Sequence, residues 1–112
     1  MGDAVTDVAT AQRLVSNGEA RLLDVRETEE WEAGHIDGAV HIPLAQLGSR
    51  MKEVGAEADW LAICRSGSRS DRAAEFLRNG GLSIRNVSGG VRAWVEAGLP
   101  FVAADGGPGQ VI

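Results

Sequence analysis

Apolar residues along the chain alternate between short continuous runs and longer stretches of helical period, and each junction carries turn or capping residues. Thr10 is placed to N-cap a helix running to about Asn17, with Leu14 and Val15 inward and Gly18 as its stop. Ala20 to Val25 reads as a buried strand. Thr28, followed by Glu29, Glu30, Trp31 and Glu32, reads as a capped helical turn closed by Gly34, with Trp31 toward the core and the acids on a solvated face. Gly38 to Ile42 predicts a short strand ended by Pro43. Leu44, Leu47, Met51 and Val54 then recur at helical spacing.

Trp60-Leu61-Ala62-Ile63 is the most uniformly apolar strand candidate. A helix from about Arg69 to Asn79 follows, with Ala73, Phe76 and Leu77 as its inward stripe and Gly80-Gly81 as its stop. Ile84 to Val87 predicts another strand. Gly89-Gly90 predicts a turn, and Val91, Trp94 and Val95 the apolar face of a last helix, which ends at Gly98-Leu99-Pro100. Strands and helices in turn, with near-continuous apolar strands, imply an α/β domain with a mostly parallel sheet of four or five strands and helices on both faces. Residues 1–102 form that domain. Residues 103–112, which include Gly106-Gly107-Pro108-Gly109, carry few apolar side chains and predict a mobile tail.

The 112 residues allow one hydrophobic core, and a composition 44% hydrophobic and 24% charged favours folding over disorder. A net charge of -5 disfavours nucleic acid and anionic membranes as partners, so any anion site must be local. No run is long enough to span a bilayer, and Met1-Gly2-Asp3 lacks the basic and apolar parts of a signal peptide, so a cytoplasmic location is expected. Met1-Gly2 with Thr6 is a weak match to a myristoylation start, set in an acidic context that argues against it.

With a single cysteine the chain can form no internal disulfide, and composition alone favours Cys64 as core filler. Its surroundings reverse that expectation. Cys64 stands where the best strand candidate runs out, the position at which α/β sheets collect ligands, and a helix begins within a few residues. The helix's unpaired N–H groups and positive end favour thiolate there. Gly67 allows the loop to turn successive N–H groups inward, while Ser66, Ser68 and Ser70 add hydroxyl donors. Arg65, Arg69 and Arg72 make a basic island, with Asp71 the one acid among them. This pattern suits a nucleophilic sulfur beside a small oxyanion.

Four motifs in order now carry a family resemblance: Asp24-Val25-Arg26, Gly34 to Pro43 reading GHIDGAVHIP, Cys64 to Arg69 reading CRSGSR, and Gly89-Gly90 followed by Trp94. Together the chain resembles the single-domain rhodanese-like family. That resemblance implies a five-stranded parallel sheet between helical layers, with Cys64 cycling between thiolate and persulfide. The expected substrates are a small anionic sulfur donor such as thiosulfate and an acceptor such as cyanide, a thiol or a protein. It further implies that Arg65, Ser66, Gly67, Ser68, Arg69 and Ser70 bind the donor and the persulfide, without metal or organic cofactor. Asp24 and Arg26 would support the site from neighbouring loops. A persulfide carrier or regulatory binding module is the alternative within this family.

A phosphatase or arsenate reductase of related fold is disfavoured, because those loops place five residues between Cys and Arg and this one places four, between Cys64 and Arg69. His35 and His41 are read as packing residues: one cysteine and two separated histidines make a poor metal set. Trp60 and Trp94 are assigned to the core along with Trp31.

Overall fold

The alternation of side chains along the central strand sorts the core into two layers, one on each face of the sheet. A computed structural model describes residues 4–112; the expectations about a leader or a lipid at Met1 to Asp3 lie outside the described residues. The strands are β1 (Val5–Thr6), β2 (Arg21–Asp24), β3 (Val40–His41), β4 (Trp60–Ile63) and β5 (Ile84–Val87). The helices are α1 (Val8–Ser16), α2 (Thr28–Ala33), α3 (Ser68–Asn79) and α4 (Gly90–Glu96). All strand pairs are parallel, in the order β1-β5-β4-β2-β3, so β4 is the middle strand.

Trp60, Ala62 and Cys64 face one way and pack with Leu23, Val25 and Ile84 against Ala73, Ala74 and Leu77 of α3. Leu61 and Ile63 face the other way, toward Ala11 of α1 and Val91 and Trp94 of α4. The period of two along β4 therefore puts the cysteine on the α3 side, at the strand's carboxyl end.

Several local expectations shift. Helix α1 is capped one turn earlier than Thr10: Asp7 Oδ1 accepts the Thr10 N–H at 2.8 Å, because a short carboxylate satisfies an orphan donor well. Glu27 stands at the cap of α2 in place of Thr28, its N–H donating to Glu30 Oε1 at 2.9 Å. The Leu44 to Val54 helix breaks into two short 3₁₀ turns, Leu44–Gln46 and Met51–Glu53, with Gly48-Ser49 between them. Phe76 is half exposed, and Ala74 takes its place in the inward stripe of α3. Val95 is also exposed on α4. The short edge strand β1 had no sequence signal, since two residues are too few for a period.

The segment expected to be mobile is held against the body by main-chain bonds. Val102 bridges His35 on one side and Pro108 on the other, Ala104 N–H donates to Glu32 O, and Gln110 N–H donates to Ala33 O at 2.8 Å. Val111 packs on the α1/α4 layer. Counting apolar side chains missed this docking because backbone groups carry most of it.

Candidate active site

Cys64 directly follows β4, and the next three residues turn the chain into α3. Gly67 makes that turn with φ of +117°, a conformation that favours glycine, and stands at the N-cap of α3. Its N–H donates to Cys64 Sγ at 3.1 Å, and the Ser70 hydroxyl lies 3.2 Å from the same sulfur. Burial pushes the thiol pKa up, but the Ser70 hydroxyl and the backbone N–H groups of Ser70, Gly67 and Ser66 outweigh it and hold the value below the ordinary thiol range. A buried sulfur surrounded by donors, with no carboxylate bonded to it among the described residues, can serve as a nucleophile.

The expected loop residues separate into those gathered at the sulfur and those engaged elsewhere. Ser66, Gly67 and Ser70 supply donors to Sγ, whereas Ser68 is exposed as the first residue of α3. Arg69 sends its fork to Glu30 of α2, with Nη1 to Oε1 at 2.7 Å and Nη2 to Oε2 at 2.9 Å. Arg65 Nε donates to the main-chain oxygen of Ile112 at 3.0 Å, and its side chain borders a cleft with Arg92, Val95, Glu96 and Val111.

Asp24 and Arg26 form a fully buried pair behind the site. Arg26 Nε lies 3.0 Å from both Asp24 oxygens, and Nη2 donates to Asp24 Oδ2 at 2.8 Å and to Gly34 O at 2.7 Å. The histidines are packing residues, with His35 Nδ1 2.9 Å from Trp31 O and His41 Nε2 2.7 Å from Arg26 O. Trp31 is half-buried rather than in the core, stacked between the two imidazoles at 3.9 and 4.8 Å.

Three residues take parts in this geometry that the sequence reading did not assign to them. Glu30 is not on a solvated face: its side chain is 14% exposed and ion-paired. Asn86 of β5 donates from Nδ2 to Gly67 O at 3.0 Å and accepts from Ser70 Oγ at 2.6 Å. A polar amide two residues after Ile84, on the same face of the Ile84-Arg85-Asn86-Val87 strand, was the available signal. Gly90 abuts the cysteine loop so closely that a Cβ there would fall 2.4 Å from Cys64 O. The Val91 and Arg92 N–H groups consequently reach Cys64 O and Arg65 O, at 2.8 and 3.1 Å.

The Arg69 hydrogen bonds hold the Glu30 carboxyl below its usual range, against the opposing effect of burial. A carboxyl depressed in the folded state contributes stability that is fully present above its unfolded pKa and is lost as pH falls through the folded value. Glu30→Gln should therefore cost about 1 kcal/mol at neutral pH. Urea denaturation across the acid range should show the wild type losing stability faster and the two proteins converging. Parallel curves would show that this pair carries no such linkage.

Fold and site together define a parallel α/β domain with a donor-lined cysteine loop at the end of its central strand. Residues 7–97 match the rhodanese-like domain family, and the chain belongs to that family. It is 34% identical over 107 residues to a sulfurtransferase of Allochromatium vinosum, a match covering 95% of this chain and all of that one. An HTH-type transcriptional regulator of Mycobacterium tuberculosis is 37% identical over 100 residues, which are 88% of this chain but 44% of the regulator. The chain thus spans less than half of that relative. Among solved structures, a rhodanese-related protein from Thermoplasma volcanium superimposes with a TM-score of 0.84 at 33% identity, covering 89% of this chain and 98% of that one. Among the described residues, no helix is long and apolar enough to cross a membrane.

Proposed function

We propose that the protein is a sulfurtransferase that carries sulfane sulfur as a persulfide on Cys64. The observation that carries this reading is the sulfur itself, buried at the end of β4 with the Gly67 N–H at 3.1 Å and the Ser70 hydroxyl at 3.2 Å. The sulfurtransferase relative that aligns along its whole length supports the same chemistry. In the first half-reaction the Cys64 thiolate attacks the outer sulfur of thiosulfate. A bond from Sγ to that sulfur forms, the bond to the sulfonate breaks, and sulfite leaves with the electron pair. In the second, cyanide or a thiol attacks the outer sulfur and the pair returns to Sγ. No outside oxidant or reductant is required.

The loop N–H groups from Arg65 to Ser70 would hold the anionic persulfide. Arg65 is assigned the donor's negative charge, since both Nη atoms of Arg69 are taken by Glu30 whereas Arg65 bonds Ile112 O through Nε. Incubation with thiosulfate should add one sulfur atom to the intact mass, and cyanide should then remove it as thiocyanate. A protein that gains no sulfur is not a sulfurtransferase of this kind. The regulator among the relatives supports a second reading, a persulfide carrier or regulatory binding module whose partner is another protein. Such a module would load from thiosulfate yet release sulfur to cyanide slowly.

A further inference from the structure

The Ser70 hydroxyl has one proton and three acceptors within reach. Asn86 Oδ1 lies at 2.6 Å, Cys64 Sγ at 3.2 Å and Gly67 O at 3.3 Å. The amide of Asn86 cannot turn to relieve this competition. Its Nδ2 donates to Gly67 O at 3.0 Å, and a flipped amide would set two carbonyl oxygens against each other. Asn86 Oδ1 is therefore a fixed acceptor and has the shortest contact of the three. Ser70 is fully buried and Asn86 nearly so, which leaves little room for water to substitute for a lost partner.

We propose that Asn86 is a positioning residue that draws the Ser70 hydroxyl proton away from Cys64 while the sulfur is a thiol or persulfide, and releases it to Sγ when the thiolate forms. This rests on the persulfide reading of Cys64. In the thiol state, Cys64 S–H donates to Ser70 Oγ and Ser70 O–H donates to Asn86 Oδ1, so every proton in the chain has an acceptor. In the thiolate state Sγ has no proton to give, and the hydroxyl turns toward it at the expense of its bond to Asn86. Persulfide formation moves the charge to the outer sulfur, and the hydroxyl swings back. When an acceptor attacks that outer sulfur, the Sγ–S bond breaks with its electron pair left on Sγ. The hydroxyl returns to stabilise this leaving thiolate. Ser70 thus helps the leaving group of the second half-reaction, and Asn86 sets its resting orientation.

Other charged groups stand on the elements packed around the loop, namely Arg69 with its Glu30 partner on α2, the buried Asp24–Arg26 pair beside β4, and Arg65 and Arg92 along one cleft, and Arg69 interacts with the sulfur through its charge. The test must therefore isolate the hydroxyl. Iodoacetamide alkylation of Cys64 should be followed against pH in the wild type, Asn86→Ala, Asn86→Leu, Ser70→Ala and the Ser70→Ala/Asn86→Ala double variant, with tryptophan near-UV circular dichroism as the folding control.

Removing the acceptor frees the hydroxyl for sulfur, so Asn86→Ala should be alkylated about fivefold faster below the wild-type midpoint. Asn86→Leu, which fills more of the vacated volume, should move the same way and decides the matter if the alanine variant does not fold. Ser70→Ala should shift the profile to higher pH and slow persulfide discharge to cyanide. In the Ser70→Ala background, Asn86→Ala should have no accelerating effect. A loop merely loosened by loss of the Gly67 contact would admit the reagent to the buried sulfur equally with and without the Ser70 hydroxyl. No acceleration in a folded Asn86 variant, or equal acceleration with and without Ser70, overturns the proposal. Alkylation does not depend on sulfur transfer, so failure of thiosulfate loading would refute the persulfide reading and leave these profiles to judge the hydroxyl.

Discussion

Cys64→Ser should abolish thiocyanate formation from thiosulfate and cyanide, lowering it at least about a thousandfold to the uncatalysed background. The same substitution should leave the fold nearly untouched. Cys64 is 1% exposed and packs with Ala62, Ala73 and Ala74, so a slightly smaller atom at that point leaves little cavity. The Gly67 N–H that served the sulfur can serve a serine oxygen. A hydroxyl in the same place stays protonated at neutral pH and cannot hold a sulfane sulfur as the thiolate does. Activity assays and intact-mass loading should fall together, while the thermal midpoint moves by only a few degrees. Retained turnover in the serine variant would place the chemistry elsewhere. Hydrolysis of an aryl phosphate by the wild type, lost in the variant, would instead favour the phosphatase alternative.

How much of this site could be read before the structure depended on whether a residue acts locally or across the sheet. The Cys64 loop was legible because strand end, glycine turn and helix start are consecutive in sequence, and their effects on one sulfur are local. Asn86 and Gly90 were not, because each matters through a neighbour brought to it by parallel pairing of β4 with β5. Glu30 illustrates the same limit. A run of acids at a helix start reads as solvated, and only the packing of α2 beside α3 shows that one of them holds Arg69.

The fold class was legible for a related reason. Continuous apolar runs mark strands covered on both faces, and β4 is buried at all four positions. Element ends were less so. Leu44, Leu47, Met51 and Val54 share a helical period, yet all four lie against the α3 layer from two separate 3₁₀ turns. A period in sequence states which residues face the core; it does not require one continuous helix to put them there. The docked tail shows the complementary gap, since Ala104 and Gln110 donate through backbone groups that no side-chain pattern reports.

The second large effect is on stability. Arg26→Ala should cost about 3–5 kcal/mol, because it leaves the buried Asp24 carboxylate without its cation. Asp24 would retain the Arg26 backbone N–H at 3.0 Å, which is too little for a charge 1% exposed. Two carbonyls, Glu30 O and Gly34 O, would lose a donor at the same time. Replacing both charges, as in Asp24→Leu/Arg26→Met, should cost less than Arg26→Ala alone, since no unpaired charge then remains. Urea denaturation of the three proteins gives the comparison. A cost under about 1 kcal/mol for Arg26→Ala would mean that water reaches the pair and relieves it. The same arginine joins two parts of the site. Through Glu30 O and Gly34 O it fastens the middle and the C-terminal end of α2 to the carboxyl end of β2, and the Glu30 side chain then reaches Arg69 in the first turn of α3. Loss of Arg26 should therefore slow sulfur loading even in the molecules that remain folded, a kinetic defect that Glu30→Gln should share in part.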